Sequence, residues 1–211
     1  MRMALLAGGL CAQQPPDLRA LGLAGGRFPP LDWEQMTPPQ RAMIENVLKG
    51  PRGNLGGPFN VLLRSPEMGD KLQDFGASMR FLDSMPAKLR ELAILLTARH
   101  WTSQFEWQAH AAAARQAGLA DAIVEAIRDG RRPAVMTREE AAVYDFATEL
   151  FTTKQVSDST FEAARRSLGE RGVVDLVALM GYYQTVAMLL NVDRYPLPAG
   201  TQPELPPLPA Q

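Results

Sequence analysis

Hydrophobic residues in this chain recur every three or four positions from about residue 37 to residue 190. In PAKLRELAILLTARH, Leu89, Leu92, Ala93, Leu96 and His100 fall at the spacing that stacks side chains on one face of a helix. Turn and cap residues mark the ends. Thr37, Pro38 and Gln40 make a start and Gly50–Pro51 a stop, predicting a helix from Pro38 to Lys49. Ser65 and Pro66 open a second, running through Phe75 and Met79 to about Leu82, and Pro86 opens a third. After a break near Trp101, a fourth spans Ser103 to Gln116 and ends at Gly118. Asp121 to Arg128 form a short helix closed by Gly130 and Pro133, and Thr137 with Glu140 caps one that runs through Phe151. Ser157 opens a helix that ends near Gly169, and Val173 to Leu190 form the last and most apolar.

No alternating run has a hairpin turn beside it, so the fold class is all-α. Three regions follow: an extension over residues 1–36, a single helical domain over 37–195 and a proline-rich tail over 196–211. The extension, rich in Gly and Pro, is expected to be a tail or an arm laid on a neighbouring subunit. GPRGNLGGPFN reads as a glycine-rich loop; it lacks a GK[ST] ending and follows no strand, so it is not taken as a nucleotide site.

Composition narrows the function. A net charge of −1, with Lys and Arg scattered, leaves no basic surplus for phosphates and argues against a nucleic-acid partner. Cys11 is the one cysteine, which excludes an internal disulfide, a CxxC pair and a cysteine-based zinc site. With two histidines in the chain, no metal and no cofactor are expected. MRMALLAGGLCA resembles a clipped secretory signal, though a short one; without it the chain is expected to be cytoplasmic, and with it periplasmic or secreted. No later segment reads as a membrane span.

The chemistry concentrates in SQFEWQAH, Ser103 to His110, which supports two readings. In the structural one, Ser103 and Glu106 form a capping box and His110 is a half-buried side chain of an amphipathic helix. In the chemical one, Arg99, Ser103, Glu106 and His110, spaced by four, three and four residues, share one face of a continuous helix. The last three share it even with a break at Trp101. A carboxylate one turn before an imidazole fixes its tautomer and relays protons. Trp101, Phe105 and Trp107 are either the walls of a dry pocket or core. Glu91, flanked by apolar residues, needs His110 or an arginine as partner, or else faces solvent.

The segment PAKLRELAILLTARHWTSQFEWQAHAAAARQAGL, with GPFNVLLRSPE before it and EEAAVYDFATEL after it, resembles the carboxymuconolactone decarboxylase family, whose fold is that of AhpD-type alkylhydroperoxidases. The likeness runs over roughly residues 37–195. In the peroxidase branch two cysteines precede the histidine; at those positions this chain has Ser103 and Glu106, so the resemblance is to the non-CxxC branch. It implies an AhpD-like helical bundle and a cofactor-free lyase acting on a small carboxylated lactone in aromatic-compound catabolism. By that resemblance His110 is the proton donor, Glu106 its orienting partner and Glu91 a further acid. Arg99, Ser103, Trp107 and Asn60 are expected to bind substrate, Arg90 and Arg64 being weaker choices and Tyr182 and Tyr183 more remote ones. It also implies a homo-oligomer, trimer or hexamer. A silent helical oligomer and an antioxidant protein are the alternatives.

Overall fold

A computed structural model describes residues 16–80 and 82–207; the signal-like segment with Cys11 and residues 208–211 lie outside them. A 3₁₀ turn, Trp33–Gln35, is followed by α1 (Pro38–Lys49), α2 (Phe59–Leu62), α3 (Pro66–Arg80), α4 (Ala87–His100), α5 (Gln104–Gln116), α6 (Asp121–Arg128), α7 (Arg138–Thr153) and α8 (Asp158–Asp193). No strand occurs among the described residues. The predicted helices are present. α2 was not foreseen, because a single turn is too short to show a period.

α4 forms the axis. Its residues from Leu92 to Arg99 are all buried, which is the pattern of a helix surrounded by others. It packs on α5, α7 and α8, and the ion pair of Lys88 with Glu140, at 2.8 Å, ties its first turn to α7. Glu140 also receives the Thr137 N–H at 2.7 Å, so the predicted capping box forms.

α8 bends where the pattern ended one helix and began another. Gly169 sits at φ 71°, a conformation that costs glycine nothing and most residues a good deal. Because the two limbs join, α8 is 36 residues long and its apolar stretch, of mean hydropathy 1.6, meets the length and composition of a membrane span. That corrects the expectation of none. Leu176, Leu179, Tyr183, Val186 and Leu190 of this stretch are buried in the protein's own core, which accounts for much of its hydropathy.

The described part of the extension, residues 16–36, packs on its own chain. Leu18, Leu23 and Met36 are buried with Met43, Ile44, Val47 and Phe59 in a second, smaller core. Its anchor is Asp193, fully buried at the end of α8, whose carboxylate accepts the Phe28 N–H at 2.8 Å and the Gly26 N–H at 3.1 Å. The proline-rich tail is likewise laid on its own chain. Gln104 brackets it, donating to Leu205 O at 2.8 Å and accepting the Glu204 and Leu205 N–H groups at 3.0 Å.

Candidate active site

Between α4 and α5 the chain reverses in three residues. Thr102 takes φ 48°, a left-handed value rare for a β-branched residue, and the Ser103 N–H turns back to Ala98 O at 2.9 Å. The two helices then run antiparallel, setting Glu91 of α4 opposite His110 of α5. His110 Nδ1 lies 2.7 Å from Glu91 Oε2. With a carboxylate as acceptor, Nδ1 carries the hydrogen, and the second ring nitrogen, Nε2, takes no part in that bond. The Tyr183 ring stands edge-on to the imidazole at 4.9 Å and limits its rotation.

Glu106 is in a different situation. The turn gives the Ser103 N–H to Ala98, so the capping box expected from Ser103 and Glu106 does not form. Both Glu106 oxygens and Ser103 Oγ are buried with no hydrogen-bond partner among the described residues. At 2% exposure, an ionised carboxylate there would have neither water nor a cation. Burial pushes the Glu106 pKa well above the usual carboxylate range, so the group keeps its proton where an exposed glutamate would ionise.

A cavity of about 240 Å³ joins these groups. Glu106 and His110 line it from α5, Tyr182 and Tyr183 from α8, Arg80 from the end of α3 and Arg52 from the glycine-rich loop. Arg52 donates to the Tyr182 hydroxyl oxygen at 3.0 Å and lies over the Phe59 ring. Burial raises the pKa of both tyrosines, so each presents a protonated phenol. The arrangement is suited to moving protons: a base oriented by a carboxylate, a neutral carboxylic acid one turn away, and phenol and guanidinium donors nearby.

Of the residues singled out from sequence, Glu91, Glu106 and His110 come together, but the carboxylates exchange places. Glu91 orients the imidazole, and Glu106 stands unpaired. The four proposed substrate contacts lie elsewhere. Arg99 donates to Pro206 O at 2.8 Å and fastens the tail; the turn at Thr102 breaks the continuous helix that would have put it beside Glu106. Ser103 lines a separate cavity with Arg194 and Tyr195. Trp107 is fully buried core, its indole N–H directed to Glu204 at 3.2 Å. Asn60 holds the N-terminal arm, donating to Phe28 O at 2.7 Å, and Arg64 braces Asn60. Arg90 donates to Leu82 O at 2.9 Å. Arg52 and Arg80 were missed. Arg52 lies in the loop set aside for lacking a phosphate-binding pattern, and nothing local distinguishes either arginine from a solvated one.

Residues 66–149 match the profile of the Carboxymuconolactone decarboxylase family. Over that segment the chain is similar to this family. The matched stretch carries Arg80, Glu91, Glu106 and His110, while Arg52, Tyr182 and Tyr183 come from outside it. No curated protein matches the chain in sequence. Among solved structures it is similar to the alkylhydroperoxidase AhpD core of an uncharacterized peroxidase-related protein from Ralstonia eutropha, at 17% identity and TM-score 0.66 over 82% of this chain and 92% of that one. A peroxidase-related protein from Silicibacter is similar at 16% identity and TM-score 0.64, over 89% of this chain and 96% of that one. A protein of unknown function from Agrobacterium tumefaciens, for which an AhpD antioxidant-defence role has been suggested, is similar at 18% identity and TM-score 0.59, over 66% of this chain and 97% of that one. At these identities the likeness is one of fold: the chain has the AhpD-like helical architecture.

Proposed function

We propose that this protein is a member of the carboxymuconolactone decarboxylase family and a cofactor-free carboxy-lyase acting on a small carboxylated lactone, in the breakdown of aromatic compounds. One observation carries the reading: a buried, unpartnered carboxylic acid, Glu106, shares a cavity with an imidazole whose far nitrogen is fixed by Glu91. Decarboxylation breaks the bond between ring carbon and carboxylate, releases CO2 and leaves the electron pair delocalised into the conjugated lactone, with charge on its carbonyl oxygen. The ring carbon then takes a proton. Glu106 is the group held neutral to supply it, and His110, charged with a solvent proton and steadied by Glu91, returns one to Glu106. The balance is one proton consumed for each CO2 released. Phe105, Val186 and Leu190, which also line the cavity, offer the departing carboxylate no donor, and this favours its loss.

Thiol-based peroxide reduction needs a nucleophilic cysteine and a resolving one, and the sequence has Cys11 alone. The deciding experiment follows CO2 release from 4-carboxymuconolactone by wild type and by Glu106→Gln. Turnover by the first and its loss in the second are expected. An inert wild type, or consumption of hydroperoxide with a dithiol donor, would overturn the proposal.

A further inference from the structure

We propose that Tyr182 is a further catalytic residue, its hydroxyl donating to the lactone carbonyl oxygen as charge gathers there, and that Arg52 and Gly76 are the residues that position it. The inference rests on the lyase reading and adds what that reading leaves unassigned. His110, Glu91 and Glu106 handle protons; the enolate oxygen also needs a preorganised donor.

Tyr182 has the geometry for this. Its oxygen accepts an N–H from Arg52 at 3.0 Å, so its own hydrogen must point away from the guanidinium, and no acceptor takes that hydrogen among the described residues. Arg52 is itself held, its guanidinium 5.4 Å from the Phe59 ring centroid and its Nε buried without a partner. A phenol that accepts from a cation is a stronger donor than a free one. Burial raises the Tyr182 pKa against the pull of Arg52, which favours the protonated phenol. Both residues line the cavity into which Glu106 and His110 face.

Gly76 shows how the phenol gets there. It lies inside α3, where glycine weakens a helix. A methyl group placed on it would lie 2.1 Å from the Tyr182 oxygen and 2.2 Å from the carbon that bears it. The missing side chain is therefore the space that the phenol occupies on its way to Arg52. Any other residue at position 76 displaces the hydroxyl, although Gly76 itself does not line the cavity.

The test uses the full-length protein with 4-carboxymuconolactone as substrate and, as a binding probe, the saturated tetrahydro-5-oxofuran-2-carboxylate, which has no conjugation to absorb the electron pair. Tyr182→Phe should lower kcat by about 10²-fold, the effect of removing one oxyanion donor, while the probe binds within about threefold of wild type because the ground-state carbonyl gains little from that donor. The pH profile should keep its shape, since the acid and base are untouched. Gly76→Ala should lower kcat comparably, and in the Tyr182→Phe background it should add almost nothing, the signature of two changes acting on one hydroxyl. Arg52→Gln should reduce kcat, with Arg52→Lys restoring part of it. If wild type turns over and Tyr182→Phe keeps kcat within threefold, this inference falls and the lyase reading stands. If wild type does not turn over the lactone, both fall.

Discussion

Glu91 and Glu106 are the same residue type on neighbouring helices, and their surroundings give them opposite tasks. Around Glu91 the polar group is satisfied: a histidine nitrogen lies 2.7 Å away and the side chain keeps 14% of its exposure. Around Glu106 nothing is satisfied among the described residues, with 2% exposure and neither oxygen partnered. The first environment gives its carboxylate a hydrogen-bond partner and the second disfavours a charge, which is why the proposed mechanism has one glutamate orient a base and the other store a proton. The comparison teaches that the unsatisfied group is the informative one. A buried ionisable side chain left without a partner costs stability, and its presence beside a cavity points to chemistry rather than folding.

The largest effect should come from taking the stored proton away. Glu106→Gln keeps shape and neutrality but has no transferable proton, so kcat should fall by about 10²- to 10⁴-fold, the usual worth of a positioned acid. Glu91→Gln leaves the acid in place and weakens only the orientation of His110; a loss of about 10- to 100-fold is expected. Steady-state kcat on the lactone checks both. If the Glu91 variant proves the more damaged, the roles argued from burial are reversed.

How much of this was legible beforehand depends on range. The helices other than α2 were, because Gly, Pro and capping residues bound them, and Gly169 even marked the bend in α8. Glu91, Glu106 and His110 were legible as chemistry because one hairpin carries all three. Their pairing was legible in part: His110 was one of the partners open to Glu91, and that one is observed, but the isolation of Glu106 was not. Ser103 and Glu106 spell a capping box whether or not it forms, and the outcome turned on the left-handed Thr102, which hands the Ser103 N–H to Ala98. Arg52 and Tyr182 stand 130 residues apart in sequence, and no periodicity links a loop arginine to a tyrosine at that distance. Asp193 was silent for the same reason: its partners Gly26 and Phe28 lie at the other end of the chain.

Stability should separate the two glutamates by sign. Glu106→Leu replaces an unpartnered buried carboxyl with an apolar group of similar size, and at pH 8 it is expected to raise unfolding free energy by about 1–3 kcal/mol while abolishing turnover. Glu91→Leu removes a charge-assisted hydrogen bond and should lower it by about 1–2 kcal/mol. Urea denaturation of the three proteins gives the comparison directly. Two losses of equal size would mean that Glu106 has a partner in solution and that the contrast drawn above is false.

The smallest effect per step is also the most specific, because it reads the Glu106 proton itself. Its pKa is raised on folding from an ordinary value of 4.5, so the folded state binds the proton more tightly than the unfolded one. Folding then takes up a proton at any pH between the two values, and stability must fall as pH rises through that window. The slope cannot exceed about 1.4 kcal/mol per pH unit for a single group. Glu140 works in the opposite direction: its burial is outweighed by the Lys88 ammonium and the Thr137 N–H, which hold it below its ordinary value, so its contribution is lost as pH falls. The two windows lie on opposite sides of pH 4.5 and do not mask each other. Subtracting the Glu106→Gln curve from that of wild type removes everything common to both, Glu140 included. The difference should be flat at low pH and turn against wild type above about pH 4.5, the ordinary glutamate value. Parallel curves across the whole range would show Glu106 ionising alike in the folded and unfolded chain, and a carboxyl that does so has no proton in reserve for a carbanion.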